Sequence, residues 1–233
     1  MTTLIACSHG TSDPAGRAAI HTLIDQIRML LPGIRVAEAF VDVQDPAVDE
    51  VVDRCVGDGP VVVVPLLLST GFHTNVDIAR AVAKHPGRAT ATPALGPHAL
   101  LAEVVHDRLA AAGLRSGDAV ILAAAGSSDP AAAVDVRAMA ALLSPRLGRA
   151  VTVGFAAGAG TRISDAVQAA RAAGHERVAI ASYVLAPGHF ARVIANAGGD
   201  VVAPSLSPDL RIAEIAVERF RAGVQVLRPH VTA

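Results

Sequence analysis

Two histidines and one carboxylate carry the chemistry that this sequence offers. His9 ends the run LIACSHG, Asp42 follows IRVAEAFV, and His73 lies in LLLSTGFHTN. Each stands just past an apolar run that reads as a strand. In an open parallel sheet, ligands bind in the crevice beyond the strands' carboxyl ends, so the three groups share one rim. Two imidazoles and a carboxylate suit a divalent first-row metal, Fe(II) or Co(II) in particular, with positions left open for a substrate. Imidazole also titrates close to neutral pH, so either histidine can hold a metal or accept a proton. Singly, each has a plainer role available: a packed core histidine, or for Asp42 a turn or capping carboxylate before a helix.

The elements that must position these residues alternate from end to end. After the opening strand, Ile20, Leu23, Ile24, Ile27 and Leu31 recur at helical spacing until Pro32-Gly33. IRVAEAFV (34–41) reads as a second strand and Pro46 to about Val56 as a helix. PVVVVPLLL (60–68) is a continuous apolar run, as expected of a strand buried on both faces. STGFHTN is expected to be its exit loop and Val76 to Lys84 a helix, then ATATPAL a weaker strand and 98–112 a helix. This alternation predicts an α/β doubly wound fold.

The second half repeats the first. AVILAAAGSSDPAAA (119–133) lies over LIACSHGTSDPAGRA, VTVGFAAGAG (151–160) over VAEAFVDVQD, and RVAIASYVLAPGHFARVI (177–194) over VVVVPLLLSTGFHTNVDI. The positions matching His9, Asp42 and His73 are then Ala125, Ala157 and Phe190. Packing histidines would have no reason to vanish as a set while the scaffold is kept. The expectation is two similar lobes with parallel sheets, residues 1–113 carrying the metal and catalytic histidines and 114–233 forming a degenerate repeat. A cleft lies between their strand ends, LRSGDA (114–119) joins them, and a helix from Pro208 to about Val226 closes the chain.

Composition narrows the function. Of 233 residues, 52% are hydrophobic and 18% charged, which is globular rather than disordered. With 3% aromatic residues, no Trp and a formal charge of −1, neither stacking platforms nor a basic face for nucleic acid is expected. No signal-peptide pattern opens the chain and Pro65 and Gly71 interrupt the longest apolar runs, so no membrane segment is expected. Cys7 and Cys55 lack finger spacing and read as two buried thiols of a cytoplasmic protein. GAGTRI (158–163) has Ile163 where a dinucleotide fingerprint needs its third glycine, and no G-x-S-x-G elbow surrounds Ser8, Ser69 or Ser182.

SHGTSDP, FVDVQDP and VVPLLLSTGFHTNVDI resemble the motifs of the sirohydrochlorin chelatase family, the small class II metal chelatases of tetrapyrrole synthesis. ILAAAGSSDP and SYVLAPGHFARVI resemble the C-terminal lobe of that family's long, two-lobed form. The resemblance implies insertion of Fe(II) or Co(II) into sirohydrochlorin without ATP, giving sirohaem or a cobalamin precursor. It implies no permanent cofactor, the metal being a substrate. His9 and His73 match the family's two active-site histidines, and Asp42 stands where relatives often carry Glu. Metallation requires two pyrrole N–H protons to leave while a hydrated ion loses its waters. His73 is assigned mainly to metal delivery and His9 mainly to proton abstraction, an assignment that could be exchanged.

The substrate's acetate and propionate groups call for N–H donors and cations. The loops Gly10-Thr11-Ser12 and Gly126-Ser127-Ser128 each open a helix and are expected to bind them. His189, one position before the match to His73, faces the same cleft, and Arg17, Arg80, Arg162 and Arg192 are the arginines nearest these loops. His21, His85, His106, His175 and His230 are expected at the surface or in packing, and Phe72 and Phe190 in packing. The two-lobed form, without a His-rich tail or iron–sulfur cysteine motif, favours iron and sirohaem over cobalt. A non-catalytic carrier of metal or tetrapyrrole would need the same donors. One chain supplies both cleft walls, so a monomer suffices and a homo-oligomer is equally compatible.

Overall fold

The computed structural model describes residues 1–71 and 73–227, with the side chains of His73, Thr74 and Asn75 outside the description. Phe72 and His230 therefore lie outside the described residues. Among the described residues, eight strands form two four-stranded sheets, and every strand pair is parallel. In the first sheet β1 (Thr3–Ser8) and β3 (Val61–Pro65) are central, flanked by β2 (Val36–Phe40) and β4 (Ala89–Ala91), in the order β2-β1-β3-β4. The second sheet repeats this as β6-β5-β7-β8, with β5 (Ala119–Ala124), β6 (Val151–Phe155), β7 (Val178–Tyr183) and β8 (Val201–Val202). β1, β3, β5 and β7 are buried on both faces, as their largely apolar sequence requires.

The strand order decides where a ligand can bind. The chain leaves β1 for β2 on one side and returns to β3 on the other, so the connections diverge between β1 and β3. That switch point opens a crevice at the strands' carboxyl ends. Register puts Ser8 beside Phe40 and Cys7 beside Pro65, so His9 and the exit of β3 border the same crevice. In the second sheet, Ala124 lies beside both Phe155 and Tyr183.

Between the sheets runs a shared helical layer. α1 (Pro14–Leu30) and α8 (Leu210–Leu227) cover the first sheet, while α4 (Ala99–Ala111) and α5 (Pro130–Leu147) cover the second. The last helix of each repeat thus crosses to the other lobe: α4 packs on β7, and α8 packs on β3 and β4. Gly223 permits this crossing, because a Cβ there would collide with Val62 and crowd Thr92. One apolar core consequently joins Leu4, Val62 and Val64 of the first sheet to Val120, Leu122 and Ala179 of the second. The outer faces are covered by α2 (Val48–Cys55) and α3 (Ala79–Ala83) on one side, and α6 (Ile163–Ala172) and α7 (His189–Ala195) on the other. Burying a Leu or Ile side chain contributes roughly 1.5–3 kcal/mol, so this common core holds the two strand-end rims at a fixed spacing.

The segment after β3 departs from the expected loop. His73–Ile78 forms a π-helical turn that runs directly into α3, so helical structure begins at His73 rather than Val76. Such turns appear mostly as single turns and often at functional sites. No helix among the described residues is long and apolar enough to cross a membrane.

Candidate active site in the interlobe cleft

The strand exits of both lobes enclose a cleft of about 620 Å³. One wall holds His9 to Asp13 from the end of β1 and Leu66 to Gly71 from the end of β3. The other holds Ala124 to Ser128 from β5 and Tyr183 to Arg192 from β7. His9, Gly10, Thr11, Ser12, Gly126, Ser127, Ser128 and His189 all line it.

His9 is placed by backbone geometry. Gly10 adopts φ +90°, and a Cβ there would collide with the Asp42 carbonyl oxygen. That close approach lets the Asp42 N–H donate to the His9 carbonyl at 3.1 Å, fastening the exits of β1 and β2 together. The Thr11 N–H donates to Gln44 Oε1 at 2.8 Å and tightens the same junction. Asp13 then caps α1, Oδ1 accepting from the N–H groups of Ala15 and Gly16, with Pro14 in the first turn. The half-buried imidazole of His9 has Nδ1 3.4 Å from the Gly10 carbonyl oxygen.

The second lobe repeats the backbone of this joint, without a counterpart to Gln44. Gly126 has φ +87° and would meet the Ala157 carbonyl, the Ala157 N–H donates to the Ala125 carbonyl at 2.8 Å, and Asp129 caps α5. Ala125 and Ala157 therefore occupy the structural positions of His9 and Asp42. The frame is duplicated and the polar groups are not.

Among the described residues, three polar contacts join the lobes across the cleft. The Thr70 N–H donates to Asp135 at 2.7 Å, the Tyr183 hydroxyl to the Leu68 carbonyl at 2.9 Å, and Arg192 to Asp13 at 2.7 Å. Behind them the Ser207 hydroxyl donates to the Ala19 carbonyl at 3.2 Å. The N–H of Gly16 above all holds the Asp13 carboxyl below the ordinary aspartate range against its desolvation, with the Ala15 N–H and Arg192 adding to the effect.

The sequence model of the CbiX family matches residues 3–112 and again residues 119–222. The chain belongs to the CbiX family. A probable sirohydrochlorin cobaltochelatase of Halobacterium salinarum is 37% identical over 134 residues, which span 50% of this chain and 44% of that relative. Among solved structures, SirB from Bacillus subtilis with Fe3+ superposes with a TM-score of 0.79 at 19% identity, covering 95% of both chains. A CbiX described as the terminal enzyme for biosynthesis of siroheme in denitrifying bacteria gives a TM-score of 0.66 at 20% identity, covering 94% of this chain and 98% of that one. These two likenesses establish the fold: two parallel-sheet lobes facing each other.

Within this CbiX chain the expected ligands separate. His9 lies in the cleft wall. The His73 backbone opens the π-helical turn beyond Gly71, and its side chain lies outside the described residues. Asp42 is exposed, its Oδ1 accepts from the Val43 N–H at 2.8 Å, and it stands at the rim rather than in the lining. His189 is exposed at the start of α7, edge-on to Phe190 at 5.3 Å between ring centroids. Phe190 also packs against the outer core of the second lobe. Of the four arginines only Arg192 reaches the cleft lining; Arg17 donates to the Thr11 carbonyl, Arg80 pairs with Asp77 and Arg162 donates to the Ala156 carbonyl.

Away from the cleft, His21 pairs with Glu38, His85 with Asp53, His98 with Glu218 and His106 with Asp107, while His175 is exposed. Sequence reasoning passed over Gln44, Asp135 and Tyr183. Asp135 stands where the first lobe has Ala19 and Tyr183 where it has Leu66, so the repeat itself held the signal. The second copy gained polar groups at those positions while losing three elsewhere.

Proposed function

We propose that this CbiX chain inserts a divalent metal into sirohydrochlorin, with two protons released for each metal taken up. The observation that carries the reading is His9. It stands at the switch point of one lobe, faces a cleft, and is opposed by a second lobe with the same backbone joint and Ala125 in place of the histidine. The relative in Halobacterium salinarum, a probable sirohydrochlorin cobaltochelatase, supports the same substrate.

Two pyrrole N–H protons must leave as the metal takes their place among the ring nitrogens. His9, half-buried beside a water-accessible cleft, accepts a proton and passes it to solvent. His73 holds the partly dehydrated ion, and Asp42, at the rim, attracts the hydrated cation and supplies an oxygen donor. The loops Gly10–Ser12, where Gln44 already holds the Thr11 N–H, and Gly126–Ser128 offer their other N–H groups to the substrate's carboxylates from both walls. His189 meets the macrocycle from the second lobe. The first and second lobes, residues 1–113 and 114–233, thereby divide the work into metal handling and substrate support. One chain suffices for the site, and its two buried free cysteines fit a cytoplasmic protein.

Iron is proposed as the physiological metal, on the likeness to the two-lobed CbiX described with siroheme. Cobalt is the second reading, favoured by the cobaltochelatase relative. Purified protein mixed with sirohydrochlorin and Fe(II) or Co(II) should accelerate appearance of the metallated absorption spectrum over many turnovers. Competition at equal metal concentration should favour iron. A stoichiometric spectral change without turnover would identify a carrier instead.

A further inference from the structure

Beside the main cleft lies a second recess of about 590 Å³, which shares His189 and Arg192 with it. Its cations are Arg162 and Arg192, and no Asp or Glu lines it. Ser164 and Asn196 add polar groups over an apolar floor that includes Phe155 and Ile163.

These arginines belong to the second lobe alone. Phe40 pairs with Ala47 and Phe155 with Arg162 in equivalent bridges, so Arg162 occupies the position that Ala47 holds in the first lobe. Matching Gly188 to Gly71 puts Arg192 at the position of Asn75. The lobe that lacks the nitrogen and oxygen donors thus carries cations where the other has neutral residues.

Both guanidiniums keep donors for a ligand. Arg162 uses one terminal nitrogen on the Ala156 carbonyl and has no carboxylate partner among the described residues. Arg192 spends one terminal nitrogen on Asp13, leaving Nε and its second terminal nitrogen without a hydrogen bond among the described residues. A planar guanidinium binds a carboxylate through two parallel N–H bonds, and apolar surface beside it suits methylene stems.

We infer that the Arg162–Arg192 recess is a carboxylate-anchoring subsite, gripping acidic side chains of the tetrapyrrole so that the ring meets His9 from the second-lobe side. The inference rests on the tetrapyrrole reading of the cleft and adds the residues that orient the substrate there. Arg162 and Arg192 are then affinity and orientation residues, with no part in proton transfer or metal handling.

Metal-free sirohydrochlorin is the probe, its binding followed by fluorescence and its metallation by absorbance. R162Q and R192Q should each raise Kd and KM for sirohydrochlorin about tenfold, the loss expected of one charge-assisted pair, and the double variant more than either. KM for the metal should stay within about twofold, and the wild-type affinity should fall with added salt. D13N breaks the ion pair to Arg192 but keeps a capping side chain, and should bind sirohydrochlorin no more weakly than wild type. A double variant that binds sirohydrochlorin as wild type does overturns the inference. So does a D13N variant weakened as much as R192Q, since the effect would then belong to lobe packing. Wild-type binding without turnover would sink the chelatase reading and leave the recess to be judged on Kd.

Discussion

The Thr70 N–H donates to the Asp135 carboxylate at 2.7 Å, so the second lobe fastens the segment that leads to His73. The first-lobe position equivalent to Asp135 is Ala19, so this tether runs in one direction only. Loss of a hydrogen bond to a charged acceptor costs about 1.5–3 kcal/mol. D135A should lower kcat for metallation about tenfold or more, on the same principle, with the melting temperature lowered by only a few degrees. D135N, which keeps an acceptor oxygen, should recover most of the rate. Equal losses in both variants would contradict the tether.

Tyr183 is buried and donates to the Leu68 carbonyl from the opposite lobe. Y183F leaves that half-buried carbonyl unpartnered and should cost about 1–3 kcal/mol in chemical denaturation. An unchanged denaturation midpoint would show that water replaces the hydroxyl.

Gly10 cannot accept a side chain without displacing the Asp42 carbonyl, and its φ of +90° disfavours any other residue. G10A should destabilise the protein by at least about 2 kcal/mol and move His9 off the cleft wall. G126A meets the same collision at Ala157 in the second lobe. It should cost similar stability with a smaller loss of rate, because Ala125, not a histidine, precedes it there. Thermal melts paired with initial rates separate the two effects.

The alternation of strands and helices, the duplication, and the His9 joint were legible because they depend on local sequence: apolar runs, Gly at a positive φ, an Asp-Pro cap. The crossing of α4 and α8 was not, since it depends on which sheet offers a complementary apolar face, and Gly223 against Val62 acquires meaning only in the packed core. The π-helical start at His73 was likewise hidden, because STGFHTN has loop composition. Asp135 and Tyr183 were passed over because their partners, the Thr70 N–H and the Leu68 carbonyl, lie on the other lobe.

Asp13 gives a pH signature. Its carboxyl is held below the ordinary range chiefly by the Gly16 N–H, opposed by desolvation and aided by the Ala15 N–H and Arg192. A depressed native value contributes stability that is present above the ordinary aspartate value of about 4 and is lost as pH falls through the lowered one. The melting temperature of wild type should exceed that of D13N at pH 7, and the gap should close progressively below about pH 4. A gap that widens in acid would contradict this sign.

Cys7 is fully buried, and burial first, then the charge of Asp77, pushes its thiol well above the ordinary range. The native thiol should resist alkylation at pH 8 and react only on unfolding. Its contribution to stability is complete below the ordinary thiol value of about 8.5 and is lost at higher pH, where the unfolded chain ionises first. Rapid labelling of native protein at Cys7 would show that the core opens there.

The most direct measurement is the initial rate of sirohydrochlorin metallation by wild type, H9A and H73A under one set of conditions. Wild type should turn over repeatedly with Fe(II), and each variant should fall at least about a hundredfold, the usual contribution of a positioned acid–base group. Near-wild-type rates in both variants would mean that imidazoles are not what the cleft uses.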